Sequence, residues 1–222
     1  MAGMTPRRPD FVLSAPEFDL LWGDLELPPA PYPLRVPSTG RTFAVRARLT
    51  DEVYRSCAER GLASGRRLDA RLEALLALLA GPEVSVDAVG HIGYPVRALA
   101  AAAGRTGVLA VVAGGEIWLT EIPPTALAPE IVAVFPPGTP GAPVDQFTVD
   151  ALAGSRSSGG QIGAHAGARS STVVTWFDSS RGRYLVSRDG DGITVTPTDD
   201  IRLADHVTAL LTSTAEIHTV GM

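Results

Sequence analysis

RTGVLAVVAGGEIWLTEI, residues 105–122, reads as two strands turned about Gly114-Gly115. It lies without a gap over RGRYLVSRDGDGITVTPT, residues 181–198. Extended to Phe135 and Leu211, the two stretches share Arg105/Arg181, Leu109/Leu185, Gly114/Gly190, Ile117/Ile193, Thr120/Thr196, Leu127/Leu203, Ala128/Ala204 and Ala133/Ala209. Each copy reads hairpin, then helix, with helices expected over Thr125–Phe135 and from Asp199 to about Thr214. A shorter match sets Phe11-Val-Leu-Ser14 against Phe147-Thr-Val-Asp150. The expectation is an α+β fold, one domain over 1–222. Two unequal pseudo-halves, about 11–135 and 144–222, would share one sheet as a quasi-two-fold internal repeat. A chance likeness of two hairpin–helix units is the alternative.

The repeat also assigns faces. Ile117 and Leu119 match Ile193 and Val195, so that face should meet helices. Trp118, Thr120, Thr194 and Thr196 then share the opposite face, which suits a partner unless another part of the chain covers it.

Around this frame the chain is punctuated clearly. Phe11–Leu13 reads as a strand, followed by a helix over Pro16–Leu25. Ser14 is its N-cap, with Glu17 at capping-box spacing. Prolines at 28, 29, 31, 33 and 37 force an extended path. Val45, Leu49, Val53 and Cys57 mark a buried stripe on a helix over Thr42–Arg60, closed by Gly61. A further helix is expected over Arg67–Ala80. Val84, Val86 and Ala88 alternate as on a strand, and a bend falls at His91–Pro95. Phe135–Pro143 reads as a hinge, and Gly154–Ser171 as a loop rich in Gly, Ser and Ala. The remainder reads as strands Thr172–Asp178, Arg183–Arg188 and Ile193–Thr196.

The 222 residues carry a net charge of -5, and all 19 basic residues are Arg. The absence of Lys excludes Schiff-base, pyridoxal-phosphate and Walker-loop chemistry. The acidic balance and scattered arginines argue against nucleic acid. One cysteine, Cys57, excludes an internal disulfide framework. No secretory leader is readable, and the apolar run Ala74–Ala80 is far below the ~20 residues of a membrane span, so a cytoplasmic protein without membrane insertion is expected. His91, His165, His206 and His218 have no metal-ligand spacing. Gly159-Gly-Gln-Ile-Gly163 lacks dinucleotide spacing, and no Gly-x-Ser-x-Gly elbow occurs. No catalytic residue, metal or cofactor is nominated.

Two segments carry a family resemblance. Pro31-Tyr-Pro-Leu-Arg-Val-Pro-Ser-Thr-Gly-Arg-Thr42 is a proline-rich stretch that leads through Gly-Arg-Thr into a long helix. Trp176-Phe-Asp-Ser-Ser-Arg-Gly-Arg-Tyr-Leu-Val186 is a hairpin of the form Asp-[Thr/Ser]-x-x-Gly-Arg-Tyr. With Gly61-Leu62 and Pro82–Asp87 between them, they resemble the EspG family, cytoplasmic chaperones of type VII (ESX) secretion in actinobacteria. The resemblance implies a central, mostly antiparallel sheet flanked by two helical bundles. It implies binding of a PE–PPE heterodimer, or of a PPE-like or WXG100-like substrate, with neither catalysis nor cofactor. Gly40, Gly182 and Tyr184 of these motifs suit structural roles, although Tyr184 could share the open face with Trp118.

The expected partner contacts are therefore Trp118, Thr120, Thr194, Thr196, Tyr184, Trp176, and His91, Ile92 and Tyr94 of the bend. Two other readings stay open. One is a small-molecule-binding or enzymatic α+β domain with residues 154–171 as a lid. The other is a structural dimerisation module that forms a weak homodimer.

Overall fold

The structure, a computed structural model, describes residues 8–143, 156–170, 172–189 and 192–220. Strand β1 (Phe11–Ser14) runs straight into helix α1 (Ala15–Asp24). The Ser14 side chain accepts from the Glu17 amide, and the Glu17 carboxylate accepts from the Ser14 amide at 2.8 Å, which completes the capping box. Helix α2 (Phe43–Glu59) follows, capped by Thr42. A small hairpin, β2 (Ala63–Ser64) and β3 (Arg67–Leu68), precedes α3 (Ala70–Ala80). The third helix thus starts later than its leucine spacing predicts. Asp69 accepts from the Arg71 and Leu72 amides and fixes the start there, leaving Leu68 buried from the hairpin.

Strands β4 (Val84–His91), β5 (Pro95–Ala103), β6 (Thr106–Ala113) and β7 (Glu116–Ile122) form a meander. A short 3-10 turn and helix α4 (Leu127–Val132) close the first half. The second half comprises β8 (Arg156–Ala166), β9 (Ala168–Arg169), β10 (Val174–Ser179), β11 (Gly182–Asp189), β12 (Gly192–Pro197) and helix α5 (Asp200–Val220). Ten strands make one sheet in the order β1-β7-β6-β5-β4-β8-β10-β11-β12, with β9 beside β8. Its ladders are all antiparallel, and the β4–β8 ladder joins the strands before residue 143 to those from residue 156 onward.

The segment 156–166 is therefore a central strand, not the loop its composition predicts. Its glycines are required by close backbone approach. A Cβ on Gly160 would stand 2.6 Å from the Val89 carbonyl oxygen, and one on Gly159 would stand 3.0 Å from that of Trp176. The described part of the expected lid thus lies inside the sheet.

Two cores occupy opposite sheet faces. On one, α1, α2 and α3 cover Leu99, Ala101, Val108, Ala110, Val112, Ile117 and Leu119 of the first half. On the other, α4 and α5 cover Val86, Ala88, Ala98, Ala100, Ile162, Trp176 and Leu185 in the middle of the sheet. The expected α2 stripe is buried only in its second half: Val53 and Cys57 are inside, whereas Val45 is 38% exposed. Among the described residues no helix is long and apolar enough to cross a membrane.

Candidate functional site

The two motifs that carry the family resemblance are clamps. Arg46, four residues after Thr42, donates to Asp19 at 2.7 Å, the Thr39 carbonyl at 2.7 Å and the Ser38 hydroxyl at 3.0 Å. It ties the end of the proline-rich segment to α1. Gly40 has φ +85°, and a Cβ there would stand 2.9 Å from the Arg46 side chain. Arg183 is wholly buried. It donates twice to Asp178, to Asp200 at the start of α5 and to the Pro136 carbonyl at 2.7 Å. Tyr184, also wholly buried, donates to the Ala142 carbonyl at 3.1 Å. The hinge segment is thereby fastened to the second hairpin, and its Thr139 and Gly141 add backbone bonds to Arg183.

Among the described residues, helices cover the sheet face on the α1–α3 side over only half its width. The register aligns one residue per strand across it: Leu13, Ile117, Val112, Arg97, Val89, Gln161, Thr175, Val186 and Val195. The first three belong to the core beneath the helices. From β8 to β12 the buried residues on this side, Phe177, Tyr184 and Val195, cluster only with one another and Val186, and no described helix contributes. Val89, Thr175 and Val186 are half-buried, Gln161 is exposed, and Ile193 is 48% exposed. Beside this row a cavity of about 370 Å³ is lined by His91, Gly159, Gln161, Thr175 and Phe177. Gly159 opens it, because the strand between His91 and Phe177 bears no side chain there.

The guanidinium of Arg97 borders the face. Arg97 donates to the carbonyls of Pro33 at 3.2 Å and Arg35 at 2.8 Å, which holds the proline-rich segment along the border of the covered half. Other arginines of the first half meet carboxylates: Arg60 with Glu17 at 2.6 Å, Arg71 with Glu121 at 3.0 Å, and Arg66 with Asp24 and Asp51. Burial pushes the Cys57 thiol above its ordinary pKa, with Glu17 adding to the effect, so the thiol is held protonated. Tyr54 is pushed up to about 12 by burial and its bond to Asp24. Among the described residues no three His, Cys, Asp or Glu side chains are grouped to hold a metal ion.

The structure redistributes the expected contact residues. Trp118, Thr120, Thr194 and Thr196 do share one face, but it is the face whose middle α4 and α5 cover. Trp118 on β7 and Thr194 on β12 lie seven strand spacings apart along the sheet order, roughly 34 Å, and form no single patch. Thr120 is buried, and the Trp118 indole donates to Glu116 at 2.9 Å. Trp176 is core: it is 1% exposed, tilted against Phe135 with ring centres 4.7 Å apart, and lies under the Arg183 guanidinium. Tyr184 is core for the reason given above. His91, Ile92 and Tyr94 lie at the β4–β5 bend, where His91 is exposed, Ile92 half-buried and Tyr94 51% exposed. The facing rule holds for Ile117 and Leu119 and fails for Ile193, which is 48% exposed and met by no described helix. Residues missed by the sequence reading are Val89, Gln161, Thr175 and Val186. Only the register of β8, hidden in a glycine-rich stretch, brings them together.

Comparison with known proteins adds three findings. The sequence profile of the EspG family matches residues 14–151 and 145–209. No curated protein matches the sequence. Among solved structures, the fold is similar to the Mycobacterium tuberculosis type VII secretion system chaperone EspG5, solved in complex with a PE25–PPE41 dimer. The TM-score is 0.69 and the identity 15%, over 90% of this chain and 95% of that one.

Proposed function

The chain belongs to the EspG family, and on that premise we propose that it is a secretion chaperone, a binding protein rather than an enzyme, that holds a helical PE–PPE-like cargo soluble in the cytoplasm for type VII secretion. The observation that carries this reading is the sheet face, uncovered by any described helix, that runs from Arg97 through Val89, Gln161, Thr175 and Val186 to Val195. It is half apolar and runs across six strands, which suits the end of a helical bundle. The Arg97 guanidinium at its border would pair with a carboxylate of the cargo and set its orientation. His91, Ile92 and Tyr94 would form the rim at one end. Support for the cargo class comes from EspG5, whose solved complex contains a PE25–PPE41 dimer on a similar fold.

Co-expression tests the reading. The tagged chain and each PE–PPE-like pair encoded by the same genome should co-elute on gel filtration, and the cargo pair should precipitate when expressed alone. Failure of every such pair to co-elute would sink the proposal.

A further inference from the structure

A second row crosses the sheet face that no described helix covers: Pro95, His91, Gly159, Phe177, Tyr184 and Pro197, on β5, β4, β8, β10, β11 and β12. Every residue of this row except Gly159 carries a ring. Cross-strand aromatic neighbours attract, and on one side of the glycine they stack: the Phe177 and Tyr184 rings lie 5.4 Å apart at an interplanar angle of 22°. Tyr184 is wholly buried and Phe177 is 5% exposed, so this part of the row is fixed. On the other side of the glycine His91 is exposed. The cavity of about 370 Å³ lies at the interruption, with His91 and Phe177 in its lining.

We infer that one aromatic side chain of the docked cargo takes the place that Gly159 leaves bare, as the missing ring between His91 and Phe177; this rests on the cargo reading above. Spacing selects the chemistry. His91 and Phe177 flank β8, so they stand two strand spacings apart, roughly 9.5 Å. A ring midway lies about 4.8 Å from each, inside the roughly 4.5–7 Å over which aromatic rings pair favourably. An aliphatic side chain there would gain its buried area alone. Position 159 cannot supply the ring itself. A Cβ on it would stand 3.0 Å from the Trp176 carbonyl oxygen and 3.1 Å from the Phe177 Cβ. The close ladder that holds β8 thus creates the opening. The slot faces outward between exposed His91 and exposed Gln161, on the face assigned to cargo, so the ring comes from the partner. Gln161 and Thr175 beside it offer an amide and a hydroxyl to a phenol O–H or an indole N–H.

Phenol and cyclohexanol, similar in size but only one of them aromatic, probe the slot by amide-resolved NMR titration of the full-length chain. Phenol should shift the Gly159, Gly160 and Phe177 amides and bind at least roughly 5-fold more tightly than cyclohexanol. His91→Ala, at an exposed position, should remove that preference at an unchanged melting temperature. In a PE–PPE-like pair that co-elutes, the aromatic residues at the ends of the helical bundle are replaced by leucine one at a time. One replacement should weaken binding at least roughly 10-fold, and that loss should shrink against His91→Ala. Absence of phenol shifts at these amides overturns the inference. So does equal affinity for cyclohexanol, or a bound pair in which no aromatic residue matters. The two readings fail separately. Phenol binding without co-elution of any pair overturns the cargo reading, and this occupant with it, but not the slot. Co-elution without phenol shifts overturns the slot but not the cargo reading.

Discussion

Arg183 forms two parallel hydrogen bonds with Asp178, Nε to Oδ1 at 2.7 Å and Nη2 to Oδ2 at 3.0 Å, while its Cζ lies over the Trp176 ring, 4.5 Å from the ring centre. Asp200 and the Pro136 carbonyl accept two further hydrogen bonds from it. One side chain thus joins the β10–β11 hairpin, the hinge segment and the start of α5. The Asp-x-x-x-Gly-Arg-Tyr motif is a folding device. Gly182, at φ +116°, leaves the room that Gly141 fills.

Arg183→Ala should therefore cost about 3–5 kcal/mol, since it strands two carboxylates and a carbonyl around a buried void. Arg183→Lys should recover less than half of that, because an ammonium cannot reproduce the fork. Urea unfolding followed by tryptophan fluorescence measures both.

Gly160→Ala should destabilise the protein by roughly 1–3 kcal/mol, because its Cβ would press on the Val89 carbonyl of the neighbouring strand. Gly81→Ala, where a Cβ meets nothing within 4 Å, should lie within about 0.5 kcal/mol of wild type. Equal costs at both positions would mean that the β4–β8 ladder is not the constraint on Gly160.

This pair of glycines also locates the limit of the sequence reading. Capping at Ser14 and Glu17, the turn at Gly114-Gly115, and the hairpin about Arg181-Gly182 were legible because local chemistry decides them. Residues 156–166 were not. In isolation Gly159-Gly160-Gln161 has the composition of a loop, and it becomes a central strand only because β4 and β10 lie close on either side. With that strand misread, the row from Val89 to Val186 was invisible, and Trp176 and Tyr184 passed for surface aromatics. The alternation rule placed Trp118 and Thr194 on one face correctly. It could not say which face the helices would cover, because that depends on long-range packing.

Tyr54 supplies a pH test. Its pKa rises from 10.0 to about 12 in the folded chain, so the folded state holds the phenol proton more tightly than the unfolded state does. That stabilisation is complete below about pH 10 and is lost as the pH climbs from about 10 to about 12. The melting temperature of Tyr54→Phe should therefore fall less steeply than that of wild type across this window. Parallel curves would contradict the assignment.

The central claim is that cargo docks on the sheet face that no described helix covers rather than on the face of Trp118 and Thr196. Gln161 stands exposed in the middle of the first, and Thr196 stands exposed on the second. The decisive measurement is the dissociation constant of the purified cargo pair for Gln161→Arg and Thr196→Arg, each checked for an unchanged melting temperature. The account predicts at least a roughly 10-fold loss for Gln161→Arg and wild-type affinity for Thr196→Arg. Wild-type binding by Gln161→Arg together with loss in Thr196→Arg would contradict it.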